Sequence, residues 1–221
     1  MKRLIGGIAA IALSAAAGAA GAATFSYSTD FGAGVGSEWA ISADSNSGDA
    51  GILGQLSSNG AASATLTQTS VGASTSANNG LLTFDLLGFR TLDGFNCCTD
   101  TLNLIINGAT VFTGTFAMGG GGGEGFSGPA GTTVTGSGQL RTITVPFTAV
   151  LGVNTFQFLY PNLQGFGDEA FGLDNVSFSA QVNEPVVGPG IPEPGAWALM
   201  ILGFGGVGTM IRGRRRALRL A

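Results

Sequence analysis

Residues 101–116 constrain the fold more than any other stretch of the chain. Thr101-Leu102-Asn103-Leu104-Ile105-Ile106 and Ala109-Thr110-Val111-Phe112-Thr113-Gly114-Thr115-Phe116 flank Asn107-Gly108. Leu102, Leu104 and Ile106 recur at every second position, the period of a strand with one buried face. Asn-Gly between two such runs is a strong hairpin signal, because both turn residues need positive φ. A lone hairpin is marginal in water, so more strands must cover its apolar face.

The rest of the chain supplies them. Leu82, Phe84 and Leu86 alternate with Thr83 and Asp85. Ile143, Val145 and Phe147 alternate with Thr142 and Thr144, and Phe156, Phe158 and Tyr160 with Gln157 and Leu159. Val176, Phe178 and Ala180 share a face, while Phe171 and Leu173 are out of phase with them; a bulge near Asp174-Asn175 resolves the shift. Further strands are expected near 24–28, 37–42, 51–56 and 62–69, about nine in all. No long apolar stripe at helical spacing occurs between Thr24 and Glu184. Gly fills 39 of 221 positions without a three-residue period, which excludes collagen and calls for many turns. The expected fold is all-β over 24–184, a jelly-roll-like antiparallel β-sandwich, with a barrel as the alternative that period alone does not exclude.

The two ends read differently. Met1-Lys2-Arg3, an apolar run from Leu4 to Ala17 and small residues from Gly18 to Ala23 make a secretory signal peptide over 1–23, cut after Ala22 or Ala23. Pro185, Gly188, Pro189 and Gly190 mark a linker over 185–191. Pro192-Glu193-Pro194 follows, then Gly195-Ala196-Trp197-Ala198 and an uncharged stretch to Ile211. The apolar run of about 16 to 18 residues reaches the lower limit for a transmembrane helix, expected at about 195–211. Trp197 takes the place of an interface anchor. The Arg-rich end 212–221, with Arg212, Arg214, Arg215 and Arg216, would stay cytoplasmic. The two prolines hold the segment before the span extended, as a protease substrate needs.

Pro-Glu-Pro, apolar span and Arg cluster, in that order over 192–221, resemble the PEP-CTERM protein-sorting tail of Gram-negative bacteria, in its Pro-Glu-Pro-x-x-Trp-Ala variant. The resemblance implies recognition by an exosortase, a membrane protease that cuts near Pro192-Glu193-Pro194 and passes the protein to the cell surface. It also implies company with exopolysaccharide and biofilm systems. The same tail carries the label of an ice-binding protein C-terminal domain, which implies nothing about ice for this chain. Phe95-Asn96-Cys97-Cys98-Thr99-Asp100-Thr101, the hairpin, Gly119 to Gly123 and Asp168 to Val176 resemble the bodies of other PEP-CTERM surface proteins. The ending Gly172-Leu173-Asp174-Asn175-Val176 is similar to the last strand of extracellular jelly-roll modules, carbohydrate-binding ones among them.

Charge and chemistry narrow the functions. Between residues 24 and 184 about twelve acids face Arg90 and Arg141 alone, a net charge near −10 that argues against nucleic acid and anionic lipid surfaces and invites divalent cations. The chain has no His, so Ser-His-Asp triads, Cys-His pairs and His-ligated zinc are excluded. No cofactor is indicated beyond a structural calcium ion. Calcium is the cation to consider: Asp168, Glu169, Asp174 and Asn175 offer four oxygen-bearing side chains within eight residues, and Asp30, Asp44 and Asp49 are candidates to complete a shell. The competing reading has Asp174 and Asn175 satisfy backbone groups in a turn or bulge. Adjacent Cys97 and Cys98 in an exported chain are expected to form a strained vicinal disulfide, with bonds between chains as the alternative. Gly119 to Gly123 lacks the Gly-Lys-Ser/Thr ending of a phosphate loop and is read as a flexible hairpin loop.

The functional expectation is a non-enzymatic exported protein. It would pass signal peptidase and exosortase, sit in the inner membrane as an intermediate, and end at the cell surface or in the extracellular matrix. Exposed aromatics such as Trp39, Phe126 or Phe166 would stack on polysaccharide, unless they pack the core. The alternatives are a structural or adhesive module without a small ligand, and a polysaccharide-active hydrolase, which needs two carboxylates across a cleft.

Overall fold

The computed structural model describes residues 21–46, 51–96, 98–185 and 198–204. Residues Gly21–Pro185 form one compact unit. Its strands are β1 (Ala22–Thr29), β2 (Trp39–Ser42), β3 (Ser45–Asn46), β4 (Leu53–Ser57), β5 (Asn59–Ser70), β6 (Ala73–Ser74), β7 (Gly80–Arg90), β8 (Thr101–Ile106), β9 (Ala109–Thr115), β10 (Gly125–Ser127), β11 (Thr133–Thr135), β12 (Leu140–Phe147), β13 (Gly152–Gln164) and β14 (Glu169–Asn183). These fourteen strands among the described residues exceed the expected nine chiefly because β3, β6, β10 and β11 are two or three residues long, too short to show a period, and exist through pairing with a longer neighbour.

Among the described residues every pairing between these strands is antiparallel, in two sheets. One sheet runs β11-β12-β7-β14-β4-β3, with β1 and β6 also on β14; the other runs β10-β9-β8-β13-β5-β2. The chain crosses between them repeatedly, from β1 to β2, β2 to β3, β4 to β5, β5 to β6, β7 to β8, β10 to β11, β12 to β13 and β13 to β14. The sheets pack face to face. Phe84 of β7 meets Phe158 of β13 at 4.8 Å between ring centroids, Phe147 of β12 meets Phe156 at 5.2 Å, and Tyr160 meets Phe171 of β14 at 4.9 Å. The fold is therefore a sandwich and not a barrel. The alternating apolar residues supply this interior: Leu82, Phe84, Leu86, Leu102, Leu104, Ile143, Val145, Phe156 and Phe158 are fully buried.

Local details follow the residues. Asn107 (φ 52°) and Gly108 (φ 81°) make the β8–β9 turn. Asn107 is held from both ends: its Oδ1 accepts from the Thr155 N–H at 2.9 Å, and its Nδ2 donates to Asn154 Oδ1 at 3.2 Å. In β14 the register against β7 shifts between Asp174 and Ser177, with Asn175 at φ 47°. That bulge lets Phe171, Leu173, Val176, Phe178 and Ala180 all be buried. β1 begins at Ala22 and pairs Ala22 with Asn183, so cleavage after Ala22 or Ala23 would trim the first residues of a strand.

The second unit, residues 1–20 and 186–221, is described only at 198–204, which are helical and exposed. No helix among the described residues is long and apolar enough to cross a membrane. The rest of the expected span at 195–211, the motif Pro192-Glu193-Pro194, Trp197 and the cluster Arg212, Arg214, Arg215 and Arg216 lie outside the described residues, as do residues 1–20 of the expected signal peptide 1–23. Ala198 opens the described helix.

Candidate functional site

The loop from Thr91 to Asp100, between β7 and β8, organises one end of the sandwich. It runs backbone to backbone against Gly119–Gly123, after β9. Leu92 and Met118 exchange N–H to carbonyl bonds of 3.1 and 2.9 Å, Gly94 N–H donates to Gly121 at 2.7 Å, and Phe95 exchanges bonds of 2.7 and 3.2 Å with Gly123. A Cβ at Gly94 would collide with the Gly123 carbonyl, and one at Gly122 with the Phe95 carbonyl. The glycine run is thus a bonded wall, not a flexible loop: its lack of side chains lets two backbones touch.

Phe95 carries this loop over the outer face of the β8-β9-β10 hairpin. Its ring lies against Gly125, where a Cβ would meet ring atoms at 2.9 and 3.2 Å. Phe95 and Phe126 stay 43% and 49% exposed. Together with Thr101, Thr113, Thr115 and Ser127 they line a groove of about 420 Å³ that has no charged side chain. The Thr101 and Thr115 hydroxyls bond each other at 3.0 Å, which fixes both rotamers. Phe126 stacks on buried Phe112 at 6.1 Å and 28°. The result is an apolar, hydroxyl-floored trough with two ring walls.

Behind the same loop, Asp93, Asp100 and Glu169 each bring one carboxylate oxygen within 4.8 Å of the others. Each is held by a backbone N–H. Asp93 Oδ1 accepts from Gly121 at 2.9 Å, Asp100 Oδ2 from Asp93 at 2.7 Å, and Glu169 Oε2 from Gln164 at 2.6 Å. Asp100 and Glu169 are 2% and 0% exposed, and among the described residues Asp100 Oδ1 and Glu169 Oε1 accept from no N–H or hydroxyl. Burial pushes the Asp100 carboxyl up to about 6, with the Asp93 charge adding to it. Burial likewise pushes the Glu169 carboxyl up to about 7, with the Asp100 charge adding to it. Burial first, and the Asp100 charge second, also raise the Tyr160 phenol.

The structure separates the four residues grouped by sequence. Glu169 joins the buried acids. Asp168 is exposed beside it, accepting from the Thr91 hydroxyl at 3.0 Å through Oδ1 and at 2.9 Å through its carbonyl. Asp174 and Asn175 sit farther along β14 at the bulge. There the Asn175 N–H donates to Asp174 Oδ1 at 2.6 Å, and Asn175 Nδ2 to Asp85 Oδ2 at 2.8 Å. Asp30 lines a shallow groove with Asn175, while Asp44 accepts from Ser58 and Asn59; Asp49 lies outside the described residues. Of the aromatics, Trp39 is a core residue whose Nε1 donates to the Tyr27 hydroxyl at 2.9 Å. Phe166 is half-buried under the Arg90 guanidinium, 5.4 Å from the ring centre. Only Phe126 of the three projects into a groove. Cys98 is exposed at φ 46°; its expected partner Cys97 lies outside the described residues.

Phe95, Asp93 and Asp100 are the residues that periodicity does not nominate. Their signal is negative: the stretch from Leu92 to Asp100 breaks the alternation between two strong strands and holds two acids and an aromatic.

No protein-family model and no curated protein matches the chain. Among solved structures it is similar to the family 35 carbohydrate-binding module of Cellvibrio japonicus Abf62, at 12% identity and a TM-score of 0.35, over 73% of this chain and all of that one. A family 35 module from an environmental isolate matches at 12% identity and 0.32, over 69% and 88%. The Podospora anserina GH26-CBM35 β-(1,4)-mannanase matches at 12% and 0.31, over 73% of this chain and 28% of that one. Likeness of this degree carries no argument about a ligand.

Proposed function

We propose that this jelly-roll-like sandwich is a non-enzymatic, extracytoplasmic polysaccharide-binding module, with its contact surface in the groove between Phe95 and Phe126. The groove is the observation that carries this. A sugar ring presents C–H faces that an aromatic ring covers, and hydroxyls that Thr and Ser side chains can meet as donor or acceptor. The trough offers both and no fixed charge. With a net charge near −10 on the domain, a neutral glycan is favoured over one bearing uronic acids. The hydrolase reading loses ground because three surface grooves of the sandwich hold at most one carboxylate each, and two of the three clustered acids are buried.

The ends supply the route. The reading of 1–23 as a signal peptide and of 192–221 as a PEP-CTERM tail makes the chain an exosortase substrate, carried to the surface or the extracellular matrix among exopolysaccharide. Affinity electrophoresis of the full chain through gels loaded with neutral or acidic polysaccharides tests the binding. Retardation by a neutral polymer is expected, and Phe95→Ala or Phe126→Ala should weaken it about tenfold, as for a central aromatic contact. Equal retardation of both variants and the parent would sink the groove assignment. No retardation by any polymer would favour a structural or adhesive module instead.

A further inference from the structure

Three carboxylates meet behind the 91–100 loop, and no cation among the described residues neutralises them. Among those residues the one ion pair joins Arg141 to Glu124. Arg90, paired with Glu169 across β7 and β14, lays its guanidinium over Phe166 instead. Two of the acids are buried, and among the described residues the leftover oxygens of Asp100 and Glu169 have only each other as partner, a contact that needs one of the two to hold a proton; with both ionised, each is a buried carboxylate without a donor, which is strongly unfavourable. The orientation is consistent across the set. A backbone N–H pins one oxygen of each carboxylate, and the second oxygens of Asp100 and Glu169 are left over. That is how supporting hydrogen bonds aim the ligands of a metal.

We propose that Asp93, Asp100 and Glu169 bind one calcium ion, which ties the 91–100 loop and the glycine wall to the start of β14. The donor set is all hard oxygen, with no imidazole in the chain. Direct coordination by buried carboxylates needs an ion that gives up its water readily; calcium does, and magnesium does so reluctantly. A separation of up to 4.8 Å suits oxygens around a cation with bonds of about 2.3–2.6 Å. A divalent charge offsets most of the three negative ones. The set differs from the one grouped by sequence, sharing only Glu169 with it.

The test uses the full chain stripped by a chelator and then titrated with calcium chloride or magnesium chloride. Calorimetry and native mass spectrometry should find one calcium per chain. Melting temperature should rise by about 5–10 °C at a hundredfold excess over the dissociation constant. Magnesium at the same concentration should give less than half of that shift. Asp100→Asn and Glu169→Gln should lose the shift, while Asp174→Asn keeps it. An unchanged melting temperature with no calcium retained would overturn the site, and so would a shift abolished by Asp174→Asn but kept by Asp100→Asn. If either variant fails to fold, the stoichiometry and shift of the parent chain still decide. No sugar enters the measurement, so a failure here and a failure of the polysaccharide reading are separate results.

Discussion

Arg141 enters the sandwich from β12 and is 6% exposed. Its guanidinium donates through Nε to Glu124 Oε2 at 3.3 Å and through Nη2 to Glu124 Oε1. Nη1 reaches the carbonyls of Gly138 at 3.1 Å and Leu140 at 2.8 Å. Glu124 also accepts from the Ala117 N–H at 3.1 Å and stands immediately before the β10 strand that holds Phe126. Glu124→Gln keeps the shape and removes the charge. Breaking a fully buried pair costs about 3–5 kcal/mol, and an exposed one about 0–1. Here one partner is 7% and the other 38% exposed, so about 2 kcal/mol is expected. For a unit the size of Gly21–Pro185 that lowers Tm by about 4–8 °C. Arg141→Met alone should cost less, since Glu124 can return to water. The double variant should recover about 1 kcal/mol relative to the sum of the singles. Urea melts of the four proteins provide the measurement. Glu124→Gln within about 0.5 kcal/mol of the parent, or strictly additive singles, would show that the pair does not carry the charge of Arg141.

Four further outcomes are expected. In chelator, the raised carboxyls of Asp100 and Glu169 stabilise the fold fully below about pH 4, and that contribution is lost as pH rises through about 6 to 7; the urea midpoint should therefore fall from pH 4.5 to pH 8, and Glu169→Gln should flatten the slope. Asn154→Ala should destabilise by about 2–4 kcal/mol, because buried Asn154 binds Val150 on both its N–H and carbonyl, and Gly152 and Asn107 besides, and its loss strands several backbone groups; a urea midpoint close to that of the parent would count against it. Phe158→Ala should cost about 3–5 kcal/mol and Phe158→Leu about 1, since its ring fills the space between Phe84 and Trp39; equal losses would mean the cavity collapses. Protein recovered from native cells should have an intact mass lacking the first 22 or 23 residues and everything beyond Pro192-Glu193-Pro194, and deleting the Arg cluster at 212–216 should change tail processing; a mass that retains the span would refute sorting by exosortase.

The fold was legible where the period was long enough to read. Six-to-eight-residue runs such as Thr101–Ile106 and Leu140–Phe147 declare their buried face, and the phase slip between Leu173 and Val176 locates the β14 bulge. Strands of two or three residues have no period, and pairing alone creates them. The acids were harder for a geometric reason. Neighbours in sequence are not neighbours in a strand: Glu169 and Asp174 lie five residues apart on β14, about 16 Å at the rise of an extended chain. The residues that do meet Glu169 come from a loop one strand away in space and far away in sequence. The glycine run misleads for a related reason. Composition announces freedom, whereas the partner backbone that removes it is set by the tertiary fold.

The ends of the domain have a mechanical meaning. β14 spans fifteen residues, holds β7, β4, β1 and β6, and stops two residues before Pro185; its last residue, Asn183, pairs with Ala22 of β1. Tension drawn through both ends of the domain would open that pair one rung at a time, like a zipper. Tension between Pro185 and a handle attached near Phe95 would instead pull β14 lengthwise, loading its rungs in parallel. The same strand is therefore weak against a tug across the two ends of the domain and strong against a load applied near Phe95, the direction in which a polymer bound in the proposed groove would drag, and single-molecule pulling in the two geometries should give clearly different rupture forces.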